Sequence, residues 1–504
     1  MCGIAGTFDE HLRKGPWCDD VLSMLESLRH RGPDGTRAAF VGRAALGHTR
    51  LAIMDPEGGD QPLLDGPAGR GVVVNGEIYN WRQLRSELDG KHRFDTESDS
   101  EVLLPLFDEA DTNMAELLDG MFAFALADGD RLVLGRDPIG IKPIYFGRAG
   151  DGWRFASEMK ALVGDVEQIE LVPPGHVWDS AEGYSRYYQI PDPVSREDIP
   201  AGEHRHRLRR TVVDAVEKRL MADVPLGAFL SGGLDSSIIA AIAARELPGL
   251  PTFTVGLEGS PDLLAARQVA AHIGSDHHEL TITREDVQRE LPEIVYHLES
   301  FDRDVVRSAI PTWFVARLAA QRVKTVLTGE GADELFAGYA YYRELAVDRL
   351  PGELTDSIRR MHNVNLQRVD RMTMAHGLEA RVPILDTAVI AAAQQIPIGL
   401  KLRSATPKPV EKWILRSAFE DLLPSDVVWR TKAQFDEGSG TTDIVDQLEH
   451  PAGSTTTAWR RSGVPLRSAE EALYHRLFTD AFSHPAAMEP LVGRWMPNAP
   501  TKSQ

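Results

Sequence analysis

The chain has 504 residues, with 55 Lys and Arg against 75 Asp and Glu, a formal charge of −20. That balance excludes broad, sequence-independent binding to nucleic acid or anionic membranes, which depends on clustered Lys and Arg; it leaves room for one small polyanion in a local site. The 42 % hydrophobic and 26 % charged fractions are those of a folded globular chain, and the length suggests two to four domains.

Met1-Cys2-Gly3 opens the chain, and Cys2 and Cys18 are its 2 cysteines. Two cysteines exclude a disulfide framework and a four-thiolate zinc site. The first residues are charged, with no apolar signal core and no run of about 18 apolar residues, so a cytoplasmic protein is expected. Residues 43–54, 71–80, 122–126, 131–137 and 143–147 are short apolar runs bounded by Gly, Asp and Pro, and read as strands. Helical spacing occurs at 21–28 and 100–109. The first part is thus an α/β unit with two sheets packed with helices.

Residues 189–203 hold three prolines and four acids with no apolar period, which is linker composition. The boundaries are therefore 1–190 and 204–504. Beyond the linker, 208–221 has a strong helical period. Strand and helix signals then alternate (LGAFL then SIIAAIAAREL, TFTVGL then LLAARQVAAHI), implying a parallel sheet flanked by helices. From about 340 onward the pattern is mainly helical.

A small second residue permits removal of Met1, leaving Cys2 with a free α-amine to act as base for its own thiol. Attack on an amide also needs an oxyanion hole. Asn75-Gly76, ending the apolar run Val72–Val74, supplies an amide side chain and a backbone N–H open to close approach. Alone, Cys2 reads as a small buried residue and Asn75-Gly76 as a turn. The company they keep changes this. MCGIAG, LRHRGPDG (28–35), LGHTRLAI (46–53), VNGEIYN (74–80), SDSEVLL (98–104) and GRDPIGIKPIYF (135–146) occur in one order. Together they resemble the class II glutamine amidotransferase domain of the asparagine synthetase family, an Ntn-hydrolase αββα sandwich. The resemblance implies that Cys2 attacks the glutamine side-chain amide and that Asn75 and Gly76 form the oxyanion hole. It further implies that Arg50 holds the α-carboxylate while Glu77 and Asp99 hold the α-amino group, as a zwitterion requires.

The second candidate is Leu230-Ser231-Gly232-Gly233-Leu234-Asp235-Ser236-Ser237. It lacks the Gly-Lys-Ser/Thr ending of a Walker A loop, yet two glycines and a following helix make a phosphate cradle, and Asp235 could reach a magnesium ion. Strand 323–327 leads into a second loop, Thr328-Gly329-Glu330-Gly331-Ala332-Asp333-Glu334. In a parallel sheet both loops emerge at the carboxyl ends of strands. With residues 253–279, 327–339 and 377–386, this set resembles the ATP-pyrophosphatase (adenine nucleotide alpha hydrolase-like) domain of the same family. The resemblance implies that Ser231, Gly232, Gly233, Asp235 and Ser236 bind the pyrophosphate portion of ATP, and that Asp235 and Asp333 ligate Mg2+. Leu230, Val255 and Gly329 would surround the adenosine. Glu330 would deprotonate incoming ammonium, and Lys432 would stabilise charge on the adenylate and pyrophosphate.

The joint implication is a glutamine-hydrolysing ligase: ammonia released at Cys2 attacks a carboxylate activated by ATP, giving asparagine from aspartate with AMP and pyrophosphate. The family passes ammonia through an internal tunnel, to which Val72–Val74 and Ala123–Leu126 are candidate contributors, although core packing is the commoner use of such residues. Family members are often dimers, so the resemblance leaves a homodimer open, although no interface can be read from the sequence. Two departures keep another carboxylic acid acceptor open. Asp304 stands where relatives often carry threonine, four residues after Ser300 and three before the family arginine Arg307. FDEGSG (435–440) replaces a more usual FSDGVG. A lactam-forming relative needing no ammonia, or a ligand-sensing descendant, is disfavoured by the intact Cys2, Asp235 and Asp333.

Overall fold

The structure, a computed structural model, describes residues 2–9, 17–66, 69–404, 408–430, 435–445 and 464–495. Runs of small and β-branched apolar residues make the first half a strand-rich unit. Among the described residues it forms two six-stranded sheets. In the first, Gly3–Phe8 lies between Gly152–Ala156 and Ala44–Arg50, antiparallel to both. In the second, Arg70–Ile78 pairs with Gly120–Asp128 along its whole length, Asn75 opposite Ala123 and Gly76 opposite Phe122.

The two sheets bury their facing sides against each other through Ile4, Leu46, Val73, Ala125, Leu134 and Phe155. Helix Trp17–Ser27 covers the outer face of the first sheet with Val21 and Leu25. Helices Trp81–Leu88 and Leu103–Ala110 cover the second, over Val72, Val74 and Phe124. The layers are αββα, the Ntn-hydrolase arrangement. Val72–Val74 and Ala123–Leu126 are accordingly core: Val73, Ala123 and Ala125 fill the space between the sheets, and the alternate residues lie under the helices. Strand periodicity distributes them this way.

The second half holds a five-stranded sheet in the order Asp276–Thr281, Pro251–Gly256, Leu226–Phe229, Thr325–Leu327, Glu379–Arg381, with every pair parallel. Helices Leu234–Glu246, Pro261–Ile273 and Arg303–Ala319 pack around it. Loops after the adjacent strands Leu226–Phe229 and Thr325–Leu327 meet at their carboxyl ends, where a parallel sheet opens a crevice. No helix among the described residues is long and apolar enough to cross a membrane.

The connecting segment is shorter than its composition implies. Pro200 stands at the N-cap position and helix Ala201–Glu217 begins at once, its first turn tied by a Glu203–Arg207 ion pair. Upstream, the backbone N–H groups of Val194 and Arg196 donate to the carbonyls of Gln394 and Gln395, so the connector lies against the second half.

The halves meet through both apolar and charged groups. Met121, Ile139 and Ile141 share one core with Leu230, Leu327 and Val382 of the second half. Beside it Arg31 pairs with Asp370 at 2.9 Å and Glu158 at 2.6 Å, while Arg371 pairs with Glu299 at 2.9 Å, all five side chains being buried. Glu299 also accepts from the N–H groups of Met159 and Lys160.

Candidate functional site

Two sites lie on opposite sides of this junction. In the first, the central position of Gly3–Phe8 carries Cys2 out at the strand end, buried to 7 % exposure. Its backbone nitrogen donates to Asn75 Oδ1 at 3.1 Å, and its thiol lies 4.0 Å from the Leu51 carbonyl. Burial pushes the thiol pKa up, and the positive charge of the chain's amino terminus opposes this.

Because Asn75 Oδ1 faces the Cys2 nitrogen, its Nδ2 points elsewhere, buried and without a hydrogen-bond partner. An unpaired buried amide donor is costly unless a ligand completes it. Gly76 follows with φ of 151°, and a Cβ there would lie 2.0 Å from the Met121 carbonyl oxygen. No side chain therefore stands over its backbone.

Arg50 is gripped at both terminal nitrogens: Nη1 donates to Pro56 O at 3.0 Å and Asp60 at 2.8 Å, Nη2 to Met54 O and Asp55 O. Glu77 and Asp99 complete the expected set, both buried. Asp99 accepts from the Ile78 N–H at 2.7 Å, yet burial, reinforced by Glu379, raises its pKa to about 6. Burial and Glu379 raise Glu77 well above the usual carboxylate range as well. Glu379 stays ionised because the amino terminus and Arg381 outweigh its burial.

The second site is a cavity where the two loops of the parallel sheet meet. Leu230, Ser231, Gly233, Asp235 and Ser236 line one side, and Gly329, Glu330 and Asp333 the other. The first loop closes on itself: Ser231 N donates to Ser236 Oγ at 3.2 Å and Gly233 N to Ser231 Oγ at 3.3 Å. Gly232 has φ of 71°, and a Cβ there would meet the Ala265 backbone at 2.5 Å, so the turn requires glycine. Helix Leu234–Glu246 starts directly after, and its N-terminal dipole favours an anion in the cavity.

Lys412, which the sequence reading missed, closes the cavity floor. Its Nζ lies 2.6 Å from Asp235 and 2.7 Å from Asp333. Asp235 Oδ1 remains buried with no hydrogen-bond partner. No cluster of three or more His, Cys, Asp or Glu able to hold a metal occurs among the described residues. Two carboxylates nevertheless fit Mg2+, which keeps several waters and takes further oxygens from a polyphosphate.

Arg368 is a second residue missed from sequence. It lines the cavity, donates to Glu330 at 2.6 Å and Thr312 at 3.0 Å, and leaves its buried Nε without a partner. Glu334 accepts from Tyr339 and Asn365, while burial and Asp333 push its carboxyl up to about 7.

Three expectations are corrected or fall elsewhere. Arg307 does not line the cavity; its guanidinium forks onto Glu470 at 2.7 and 2.8 Å. On the helix Arg303–Ala319 the cavity face is Asp304, Ser308, Thr312 and Val315, and Arg307 is rotated off that stripe. Val255 is closed into the core at 0 % exposure, while Phe253 and Thr254 of the same strand reach the cavity. Lys432 lies outside the described residues. Asp304 does line the cavity, and Arg303 pairs with it at 2.9 Å. Of the FDEGSG segment, Gly438 packs so closely on Asp262 that a Cβ would lie 2.3 Å from its carboxylate.

A buried cysteine at a sandwich strand end, joined to a parallel-sheet anion cradle, is the build of a glutamine amidotransferase ligase. Sequence comparison agrees half by half: residues 1–175 match the glutamine amidotransferase domain, and 207–357 with 346–495 match asparagine synthase. Proteins named asparagine synthetase (glutamine-hydrolyzing) are similar over nearly the whole chain. That of Sandersonia aurantiaca is 39 % identical, covering 96 % of each chain. That of Asparagus officinalis is 38 % identical over 96 % of this chain and 86 % of its own. Asparagine synthetase 1 of Saccharomyces cerevisiae is 37 % identical, covering 99 % of this chain and 96 % of its own. The chain belongs to the asparagine synthase family.

Proposed function

We propose that this protein is a glutamine-dependent asparagine synthetase, with residues 1–190 as the glutaminase and 204–504 as the synthetase. The observation that carries the reading is the presence of both chemistries' groups in one chain. Cys2 sits beside the unpartnered Asn75 amide, and Asp235, Asp333 and Lys412 face the Ser231–Ser236 cradle.

In the glutaminase half, the Cys2 thiol attacks the glutamine side-chain carbonyl, its proton passing to the α-amine freed by loss of Met1. Asn75 Nδ2 and the Gly76 N–H meet the oxyanion. Arg50 receives the α-carboxylate, and Glu77 and Asp99 the α-ammonium. Ammonia leaves, and water returns the thioester to glutamate and free Cys2.

In the synthetase half, Ser231, Gly232, Gly233 and Ser236 hold the pyrophosphate portion of the substrate ATP, with Leu230 and Gly329 beside its adenosine. Asp235 and Asp333 would hold Mg2+, whose chemistry there would be to offset charge on the leaving pyrophosphate. Lys412 supplies a second positive charge there. Glu330, oriented by Arg368, takes the proton from ammonium at the acceptor. Ammonia that escaped into water would mostly become ammonium, so the shared apolar core of Met121, Ile139, Ile141 and Leu230 favours direct transfer. Aspartate as acceptor is supported by the names of the relatives.

The test is to incubate the protein with glutamine, ATP and Mg2+, with and without aspartate. Aspartate-dependent pyrophosphate release with asparagine as product is expected. Glutamate release without aspartate-dependent pyrophosphate would transfer the reading to another carboxylic acid acceptor.

A further inference from the structure

The cavity has one wall from a distant part of the chain. Trp495, 260 residues beyond Asp235 in number, lines it together with Tyr339, Asn365 and Asp304. Its ring meets Tyr339 edge-on, with centroids 5.1 Å apart and an interplanar angle of 71°. The Tyr339 hydroxyl in turn donates to Glu334 at 2.7 Å.

Both main-chain polar groups of Trp495 are fastened. Its N–H donates to Asp302 Oδ2 at 3.1 Å, and its carbonyl accepts from Arg467 Nη1 at 2.8 Å. Arg467 also reaches Asp302 at 2.5 Å and Glu471 at 2.9 Å. Asp302 Oδ1 meanwhile caps helix Arg303–Ala319 by accepting from the N–H groups of Asp304 and Val305. One carboxylate therefore fixes both the helix that presents Asp304 and the segment that presents Trp495. Gly493 lets the segment come close, since a Cβ there would lie 1.9 Å from the Asn363 carbonyl oxygen, and Arg494 stacks over Phe301 at 4.5 Å.

We propose that Trp495 is a positioning residue that closes the synthetase cavity against water while the activated acceptor waits for ammonia. The inference rests on the synthetase reading above. The acyl-adenylate has two fates. Ammonia adds to the acyl carbon, the acyl–oxygen bond breaks with its electron pair leaving on AMP, a proton is shed, and asparagine forms. Water adding at the same carbon breaks the same bond and returns aspartate and AMP, so pyrophosphate is released without amide. An indole held at both main-chain groups removes room for that water without touching the reacting atoms.

The experiment uses the full chain with ATP, Mg2+, aspartate and ammonium chloride in water enriched in oxygen-18. Wild type should release pyrophosphate and asparagine near parity, with little label in aspartate. Trp495→Ala should raise the pyrophosphate-to-asparagine ratio at least threefold and place the label in the aspartate side-chain carboxylate. Trp495→Phe should restore a ratio within twofold of wild type, with glutaminase kcat/KM unchanged in both variants. Label in AMP alone, or an unchanged ratio in Trp495→Ala, overturns the proposal. If Trp495→Ala does not fold, Arg467→Gln, which frees the Trp495 carbonyl, should give the same raised ratio, and parity there overturns it. Absence of any aspartate-dependent pyrophosphate from wild type would instead strike the synthetase reading itself.

Discussion

Arg381, on the last strand of the parallel sheet, reaches across the junction to lie 3.3 Å from Glu77 in the glutamine site. The same guanidinium pairs with Glu379 at 2.6 Å and donates to the Arg219 and Met221 carbonyls. One cation of the synthetase half thus stands against the carboxylate proposed to hold glutamine's α-ammonium. Arg381→Met would leave Glu77, Glu379 and Asp99 crowded without it, favouring a neutral Glu77. Glutamine KM is expected to rise at least tenfold, with the ammonia-driven reaction retained. Steady-state glutaminase assays beside ammonium-driven pyrophosphate release check this.

Cys2→Ala removes the nucleophile and leaves the second cavity untouched. Glutamine-dependent synthesis should fall below detection while synthesis from ammonium persists near the wild-type rate. Loss of both activities in a folded variant would mean that the labour is not divided between the halves as argued.

Acid should weaken glutamine binding before it harms the fold. Asp99 must be charged to hold an ammonium group, and burial has raised its pKa to about 6. Protonation as pH falls through that value removes the attraction, and Glu77, raised in the same direction, adds to the loss. Glutamine KM is expected to climb up to tenfold per unit as the pH falls below about 6. In Asp99→Asn the inflection should be displaced, with KM high throughout.

Asp304 already has two arginines beside it. Arg303 lies 2.9 Å from it and Arg467 3.8 Å, and both arginines are partly exposed. Exposed pairs of this kind are worth up to about 1 kcal/mol, a factor of about five. Asp304→Thr should therefore lower aspartate KM by no more than about fivefold, read from pyrophosphate release against aspartate concentration.

Glu299 faces Arg371 at 2.9 Å and accepts two backbone N–H groups from across the junction. Removing one member of a buried pair costs up to about 3–5 kcal/mol, and Glu158, 3.1 Å from Arg371, offsets part of that loss. Glu299→Gln should lower the thermal unfolding midpoint measurably in calorimetry, and conservative changes at exposed Arg29 or Glu26 should not.

The parts legible in the sequence were those built from neighbours. Ser231–Ser237 makes its own cradle by hydrogen bonds spanning two to five residues, and Asn75 and Gly76 are neighbours within one strand, Arg70–Ile78. Groups assembled by the fold were not legible. Lys412 approaches Asp235 across 177 positions, and Trp495 carries no local pattern that announces a cavity. Arg307 shows a finer limit: helical spacing gives the element, but a rotation of one residue decides whether a guanidinium meets the cavity or Glu470. The edge strands were hidden for a related reason. Asp276–Thr281 pairs on one side only and is polar except at Leu280, and Glu379–Arg381 is three residues whose charges are buried through partners elsewhere.

The charged seam between the halves sets a rule for change. Arg31 faces Asp370, Ser157 supplies a carbonyl to Arg371, and Glu299 holds the backbone at Met159 and Lys160. Each side is written in the complement of the other, so neither half can be traded for a relative's without its counterpart. A chimera cut in the connector would present ionised groups to a surface that no longer answers them. The two chemistries in this chain are bound to a shared inheritance, and substitutions along the seam succeed only as matched pairs.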